Sequence, residues 1–353
     1  MIEDLPEEMD RKRLGGDRYP LLGRYLKVNF PMAHYPTVLK AIIEGKPYKV
    51  RAMFIMGGNP ALAIANSSMA VEALKKVEFL AVADLFMSKT AELADIVLPS
   101  ASWLEYDGLA DSAQATYGHL RIRRKVAQVG EARSDTWIMI ELAKRMNLKG
   151  FWGSEEEYLD YILKPTGYTF KEFDEAGGII YHEPEVGKRL KKGFDTPSGK
   201  IELYSERLKE WGFDPLPFYR EPFESPYSTP DLAKDYPFVL TTGRRVPAYF
   251  HTAGRNIPGL RDLYPEPLAE INAETARELG IEDGDLVRIE TPRGYVIMRA
   301  KLTHGIHPRV IGVQHGWEGE ANDNRLTDNQ RCSEGMGSTT LRGLLCRVRR
   351  VAQ

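Results

Sequence analysis

Polar side chains that could hold a ligand recur in this chain just after short apolar runs. "MFIMGGNPALAIANS" (53–67) is an apolar run that stops at Gly57, Gly58, Asn59 and Pro60. Glycines there let backbone N–H groups approach an anionic or polar ligand closely. Asn59 offers amide donors and an acceptor, and Pro60 can open the next helix. The same residue types also make plain turns. Asp84 follows "FLAVA". A carboxylate at the carboxyl end of a strand can accept two hydrogen bonds from a ribose diol or from the N1–H and 2-amino group of guanine; it can equally cap the segment after it. Thr90 and Asp95 flank a short helix before "IVLP", where Asp95 could hold the start of a strand. Asp135 stands in the first turn of a helix, a place the dipole gives to acids. Further on, "TTGRR" (241–245) supplies Thr242, Gly243 for a bend, and Arg244, whose planar fork suits a phosphate or a fused heterocycle. "FHTAGRN" (250–256) adds His251, Thr252 and Arg255; "HGW" (315–317) and "NDNRLTDN" (322–329), with Asn324, add polar groups to later loops. His251 alone suits a satisfied histidine equally well, and "RVRRV" (347–351) a solvated edge strand. No side chain stands out as a proton donor, His119 and His315 included.

The elements that would position these residues can be read from period and punctuation. "TVLKAIIEGKPY" predicts a short helix stopped at Gly45, "KVRAMFIMGG" a buried strand, "SSMAVEALKKV" a helix capped by Ser67 or Ser68, and "EFLAVADLF" a second buried strand. "TAELADIVLPS" adds a short helix and a third strand. Alternating strands and helices imply parallel α/β packing. Residues 101–130 read as irregular, and "SDTWIMIELAKRMNL" as an amphipathic helix capped by Ser134. "DTPSGKIELYS" (195–205) reads as a turn followed by a strand. From Tyr236 the texture changes to short strands with Gly turns and one helix, an all-β domain closing as a barrel. The expected division is a lead-in segment over 1–47, wrapping a partner or the next domain; an α/β nucleotide-binding domain over 48–150; an irregular connection over 151–235; and a β-barrel over 236–353.

Composition narrows the function. The chain has 353 residues, 42% apolar and 28% charged, with a net charge of −2. That is ordinary for a globular protein and gives no electrostatic footprint for nucleic acid. No run reaches the ~18 apolar residues of a membrane span, and "MIEDLPEEMDRKRLGG" holds no apolar core of a signal peptide; the expected compartment is the cytoplasm. Cys332 and Cys346 are the only cysteines, without a CxxC, which argues against an iron–sulfur cluster within these residues.

In order along the chain, GxNP, "AVADLFMSKTAELADIVLPSASWLEYDG", "GEARSDTWIMIELAKRMNL", "LTTGR", "HT", "LGIEDGDLV", "RG" and "NRLT" resemble the carboxyl-terminal half of the molybdopterin-dinucleotide oxidoreductases, the DMSO reductase, formate dehydrogenase and polysulfide reductase group. The resemblance runs from about residue 20 to the end; "TAELADIVLP" followed by "WLEYDG" is its most specific part. It implies a partial Rossmann-like α/β domain followed by a six-stranded double-psi β-barrel. It also implies two pterin–guanine dinucleotides (bis-MGD) chelating molybdenum or tungsten. By motif match, Gly58, Asn59, Asp84, Thr90 and Asp135 line the nucleotide end, with Pro60 and Asp95 beside them. Thr242, Gly243, Arg244, His251, Thr252 and Asn324 meet the pterin and its phosphates from the barrel.

The family's cluster motif and its metal-ligating residue have no counterpart in these residues, and "LRGLLCRV" carries leucines where a lysine often precedes the final strand. The expectation is a split enzyme: this chain shares the cofactor with a catalytic subunit bearing the iron–sulfur cluster and the metal ligand, with further electron-transfer subunits as additional partners. The opening methionine falls where the family crosses between domains, which suits a gene boundary. The alternatives are a non-catalytic pterin-dinucleotide-binding fragment and an unrelated nucleotide-binding dehydrogenase; the latter would want GxGxxG where this chain has GGNP, and it leaves the barrel unexplained.

Overall fold

Short apolar runs closed by Gly, Asp or Pro fold as β1 Ala52–Met56, β2 Phe79–Asp84 and β3 Ile96–Pro99. They form a three-stranded sheet in the order β1-β2-β3, with β2 and β3 parallel and Val82 opposite Val97. This is a computed structural model, and it describes residues 7–22, 32–111, 118–181, 187–194, 196–244 and 246–351. The expected buried strand at 49–58 is only half-buried: both ends of β1 are exposed. Residues 101–130, expected to be irregular, instead contain β4 Gly108–Asp111 and β5 His119–Arg123, which join β6 Ile179–Tyr181 in an antiparallel sheet. The strand expected after the turn at 195–205 does not form among the described residues.

Helix ends follow local chemistry. Tyr35–Glu44 stops at Gly45 in the left-handed region (φ 69°), as expected. Ser134 caps Asp135–Arg145 by accepting from the Trp137 amide. The helix Ser67–Lys76 is capped not by a serine but by Asn66, at φ 55°, whose side chain accepts from the Met69 amide at 3.2 Å. Asparagine tolerates the left-handed conformation better than serine does, and its carbonyl reaches the orphan amide.

The chain divides into two compact units. One comprises residues 1–53, 58–80 and 206–353, and the other 54–57 and 81–205. In the first, Leu39, Ile42, Ala70 and Ala73 form a small core between two helices. The larger core lies inside a closed barrel of β7 Phe238–Arg244, β8 Leu268–Asn272, β9 Leu286–Thr291, β10 Gly294–Thr303, β11 Val310–Gln314 and β12 Arg342–Arg350. Around the ring the order is β10-β8-β11-β7-β12-β9, with β7–β11 and β8–β10 parallel and the rest antiparallel. Alternation puts Val287, Ile289, Val296, Met298 and Val348 inside. β12 closes the ring in two halves, pairing with β7 through Arg342–Cys346 and with β9 through Arg347–Arg350, the stretch that holds "RVRR". Among the described residues no helix is long and apolar enough to cross a membrane.

Candidate functional site

In the second unit, the two oxygens of Asp84 are engaged locally. Oδ1 accepts from the Leu85 amide at 2.7 Å and Oδ2 from Ser88 Oγ at 2.8 Å, which is the capping role that its position also allows. Ser88 Oγ in turn accepts from the Ala91 amide. Thr90 is fully buried, Asp95 is exposed just before β3, and Asp135 accepts from Ser100 Oγ at 3.0 Å.

In the first unit, Gly58 leads into Asn59, whose carbonyl accepts from the Leu62 and Ala63 amides and so starts the short helix Pro60–Ala63. The loop 322–329 is stitched to that helix. Asn322 Nδ2 donates to Ala61 O at 3.2 Å and Asn324 Nδ2 to Leu62 O at 2.9 Å. Asn66 reaches the same loop: its amide donates to Thr327 Oγ1 and its Nδ2 to Asn329 Oδ1, both at 3.2 Å. Asn59, Pro60 and Asn324, far apart in sequence, are thus brought together.

The ends of β7 and β11 carry the remaining candidates. Thr242 Oγ1 donates to Leu341 O. Gly243 has φ 83°, the left-handed region that favours glycine; the Arg342 guanidinium that a Cβ there would approach to 2.9 Å can swing aside. Arg244 pairs with Glu270 at 2.9 Å and keeps 58% of its side chain exposed. Thr252 is exposed next to His251. His251, at a positive φ of 56°, shares a hydrogen bond between its Nδ1 and His315 Nε2 at 2.7 Å.

Two charged residues that lie outside the motif-matched set stand at the centre of this network. Arg255 donates from Nη2 to His315 O at 2.8 Å, and its guanidinium lies 3.8 Å from the Trp317 ring centre and 4.3 Å from that of Tyr249. Its Nε and Nη1 are buried without a hydrogen-bond partner. Burial pulls its pKa down to about 10, against the opposing charges of Asp323 and Glu318. Asp323 is 2% exposed and its Oδ1 also has no partner. Burial pushes its carboxyl up to about 7, although the Gly316 amide and Arg255 favour the charged form. Gly316 makes the close approach possible: at φ 79°, a Cβ would meet His251 O at 2.9 Å. Buried polar atoms are nearly always satisfied. The three unmatched atoms lie on two electrostatically coupled charges and could be satisfied by a group that accepts from a guanidinium and donates to a carboxylate. Nothing local in the sequence marks Arg255 or Asp323 as buried, so neither stands apart from its polar neighbours there. Among the described residues, no three His, Cys, Asp or Glu side chains are grouped to hold a metal ion.

Comparison with known proteins adds to this geometry. Residues 238–344 match the molydopterin dinucleotide binding domain, and residues 30–145 match the molybdopterin oxidoreductase model. The chain is 32% identical to acetylene hydratase of Syntrophotalea acetylenica, over 90% of this chain and 46% of that protein. It is 32% identical to the F420-dependent formate dehydrogenase subunit alpha of Methanocaldococcus jannaschii, over 88% of this chain and 45% of that one. It is 31% identical to formate dehydrogenase H of Escherichia coli, over 80% and 38%. The solved structure of acetylene hydratase from Pelobacter acetylenicus superposes with a TM-score of 0.86 at 29% identity, covering 98% of this chain and 53% of that one. The chain thus spans about half the length of the relatives it matches, or less.

Proposed function

This chain belongs to the molybdopterin oxidoreductase family, and from that premise we propose that it holds a molybdopterin guanine dinucleotide inside a molybdenum or tungsten oxidoreductase whose iron–sulfur cluster and metal-ligating residue are carried by a partner chain. The observation that carries the binding reading is the pair Arg255–Asp323 with its three unmatched polar atoms. A pterin edge sets carbonyl, ring N–H and amino groups side by side, which is the mixture of acceptors and donors that this pair lacks. The residues present therefore fit the group. Arg255 would supply donors, and Asp323 an acceptor when ionised. Asn322 and Asn324 keep the adjoining loop in place, and Trp317 and Tyr249 keep water from the guanidinium. Bound to its metal, the dinucleotide supplies two-electron redox chemistry. This chain's share is to bind, orient and exclude water. The partner reading is supported by β1, which pairs only with β2 among the described residues and so offers a strand border for further polypeptide.

The test is co-expression with a cluster-bearing chain, followed by assay of molybdenum, tungsten and guanine nucleotide in the purified material. Metal and guanine nucleotide are expected together. Arg255→Ala should lower nucleotide content about tenfold or more, since hydrogen bonds from a charged group contribute ~1.5–3 kcal/mol. Unchanged content would remove Arg255 from the site. Absence of both metal and nucleotide from the co-purified complex would sink the reading. Nucleotide without metal would leave a binding protein with no redox centre.

A further inference from the structure

The outward face of the barrel gathers positive charge at one place. On β9, Val287 and Ile289 point inward while Arg288 and Glu290 alternate with them; on β12, Arg347 and Arg349 flank the inward Val348. Register places Arg347 opposite Glu290, and Arg349 opposite Arg288. Among the described residues, Glu290 is the carboxylate that all three guanidiniums share. Arg288 Nη2 lies 2.6 Å from its Oε1, Arg347 Nε donates to Oε2 at 2.8 Å, and Arg349 Nε stands 3.5 Å from Oε2. Tyr295, the β10 residue opposite Glu290, has the Arg288 guanidinium 3.8 Å and that of Arg325 5.1 Å from its ring centre.

Three guanidiniums against one carboxylate leave a surplus of two positive charges. Arg325 adds one more and Asp235, which faces Arg347, removes it; Arg350 is neutralised by Asp285 at 2.9 Å. Like charges directly opposite in an antiparallel ladder are unfavourable, yet Arg288 and Arg349 face each other. The carboxylate and the stacked Tyr295 ring order Arg288, and Arg349, 3.5 Å from the same carboxylate, is free to turn its fork toward a ligand. Arg347 and Arg349 keep 49% and 60% of their side chains exposed, so their outer nitrogens reach solvent.

We propose that this face of the barrel binds a phosphate group, either free or as the phosphoryl end of a small monoester. Guanidinium forks match pairs of phosphate oxygens. A phosphate carries a charge of about −1.5 to −2 at neutral pH, which balances the surplus; a single carboxylate would leave half of it. Arg325 belongs to the 322–329 loop beside Asp323, but the cluster around Glu290 is built from β9 and β12, so the proposal does not depend on the cofactor reading.

Titration of the purified protein with inorganic phosphate, and in parallel with glycerol phosphate, tests it by calorimetry against chloride at matched ionic strength. Saturable binding is expected. Arg349→Ala should weaken it about tenfold or more, and Arg349→Lys, which keeps the charge but loses the fork, by less. Arg349 makes the longest of the three contacts to Glu290, so both variants should retain the native circular dichroism and the native guanine-nucleotide content. Equal binding of both ligands would identify the phosphoryl end as what is read; binding of inorganic phosphate alone would identify the free ion. No phosphate-specific binding, or binding that survives Arg349→Ala unchanged, would overturn the proposal.

Discussion

Asp323 loses its hydration on folding and leaves one oxygen unmatched. In an unfolded chain such a carboxyl ionises near pH 4; in the folded chain burial moves it to about 7. Between these values the native state holds a proton that the unfolded state has released, so this group's contribution to stability falls as pH rises through the window, and the loss is complete above about pH 7. Asp323→Asn abolishes the titration. Relative to the native protein, the variant should gain on the order of 2–4 kcal/mol between pH 4 and pH 8, read from urea unfolding at both pH values. A difference independent of pH would show that Asp323 is ionised throughout. Sequence alone could not single this residue out. Asp323 and Asp328 sit in the same polar run, and what sets Asp323 apart is the fold's placing of Arg255 and the Gly316 amide, each remote in sequence, around it.

At the scale of elements, the legible parts were those written in local chemistry. Gly45 and Ser134 stand where turn and cap preferences put them. The sheet β4-β5-β6 was hidden because its third strand is three residues long and enters from distant sequence, with His119 opposite Tyr181. "KIELY" alternates as a strand would, but no described strand pairs with it, and Ile201 and Leu203 stay exposed. The cap at Asn66 also escaped, since two serines follow it. Asn66→Ala should destabilise by about 2 kcal/mol, combining the lost cap with a left-handed alanine. Asn66→Gly, which keeps the backbone angle, should cost clearly less; chemical denaturation of both variants separates the two contributions. Equal losses would place the whole effect in the side chain's bonds to Met69 and Asn329.

At the scale of the larger unit, Glu224 ties the segment 206–235 to the barrel. It is 2% exposed, accepts from Arg293 through both oxygens at 2.6 and 3.1 Å, pairs with Arg331, and takes the Leu345 amide at 3.2 Å. Burial alone would raise its pKa, but the hydrogen bonds from Arg293 and Arg331 outweigh it and hold the carboxyl below its ordinary value. The stability it confers is therefore present above about pH 4.5 and is lost as pH falls below that. Glu224→Gln leaves two arginines without their shared anion and should cost about 3–5 kcal/mol, seen as a lower midpoint in thermal unfolding near pH 7; a change under ~1 kcal/mol would mean that solvent replaces the anion freely.

The barrel's last strand in chain order, β12, fits between β7 and β9, the first and third to be made. During synthesis on the ribosome, each of those two strands therefore emerges with one bare hydrogen-bonding border, which among the described strands only β12 covers. The ring must snap shut late, after translation has passed its final segment, and a stalled nascent chain would present chaperones with two open seams.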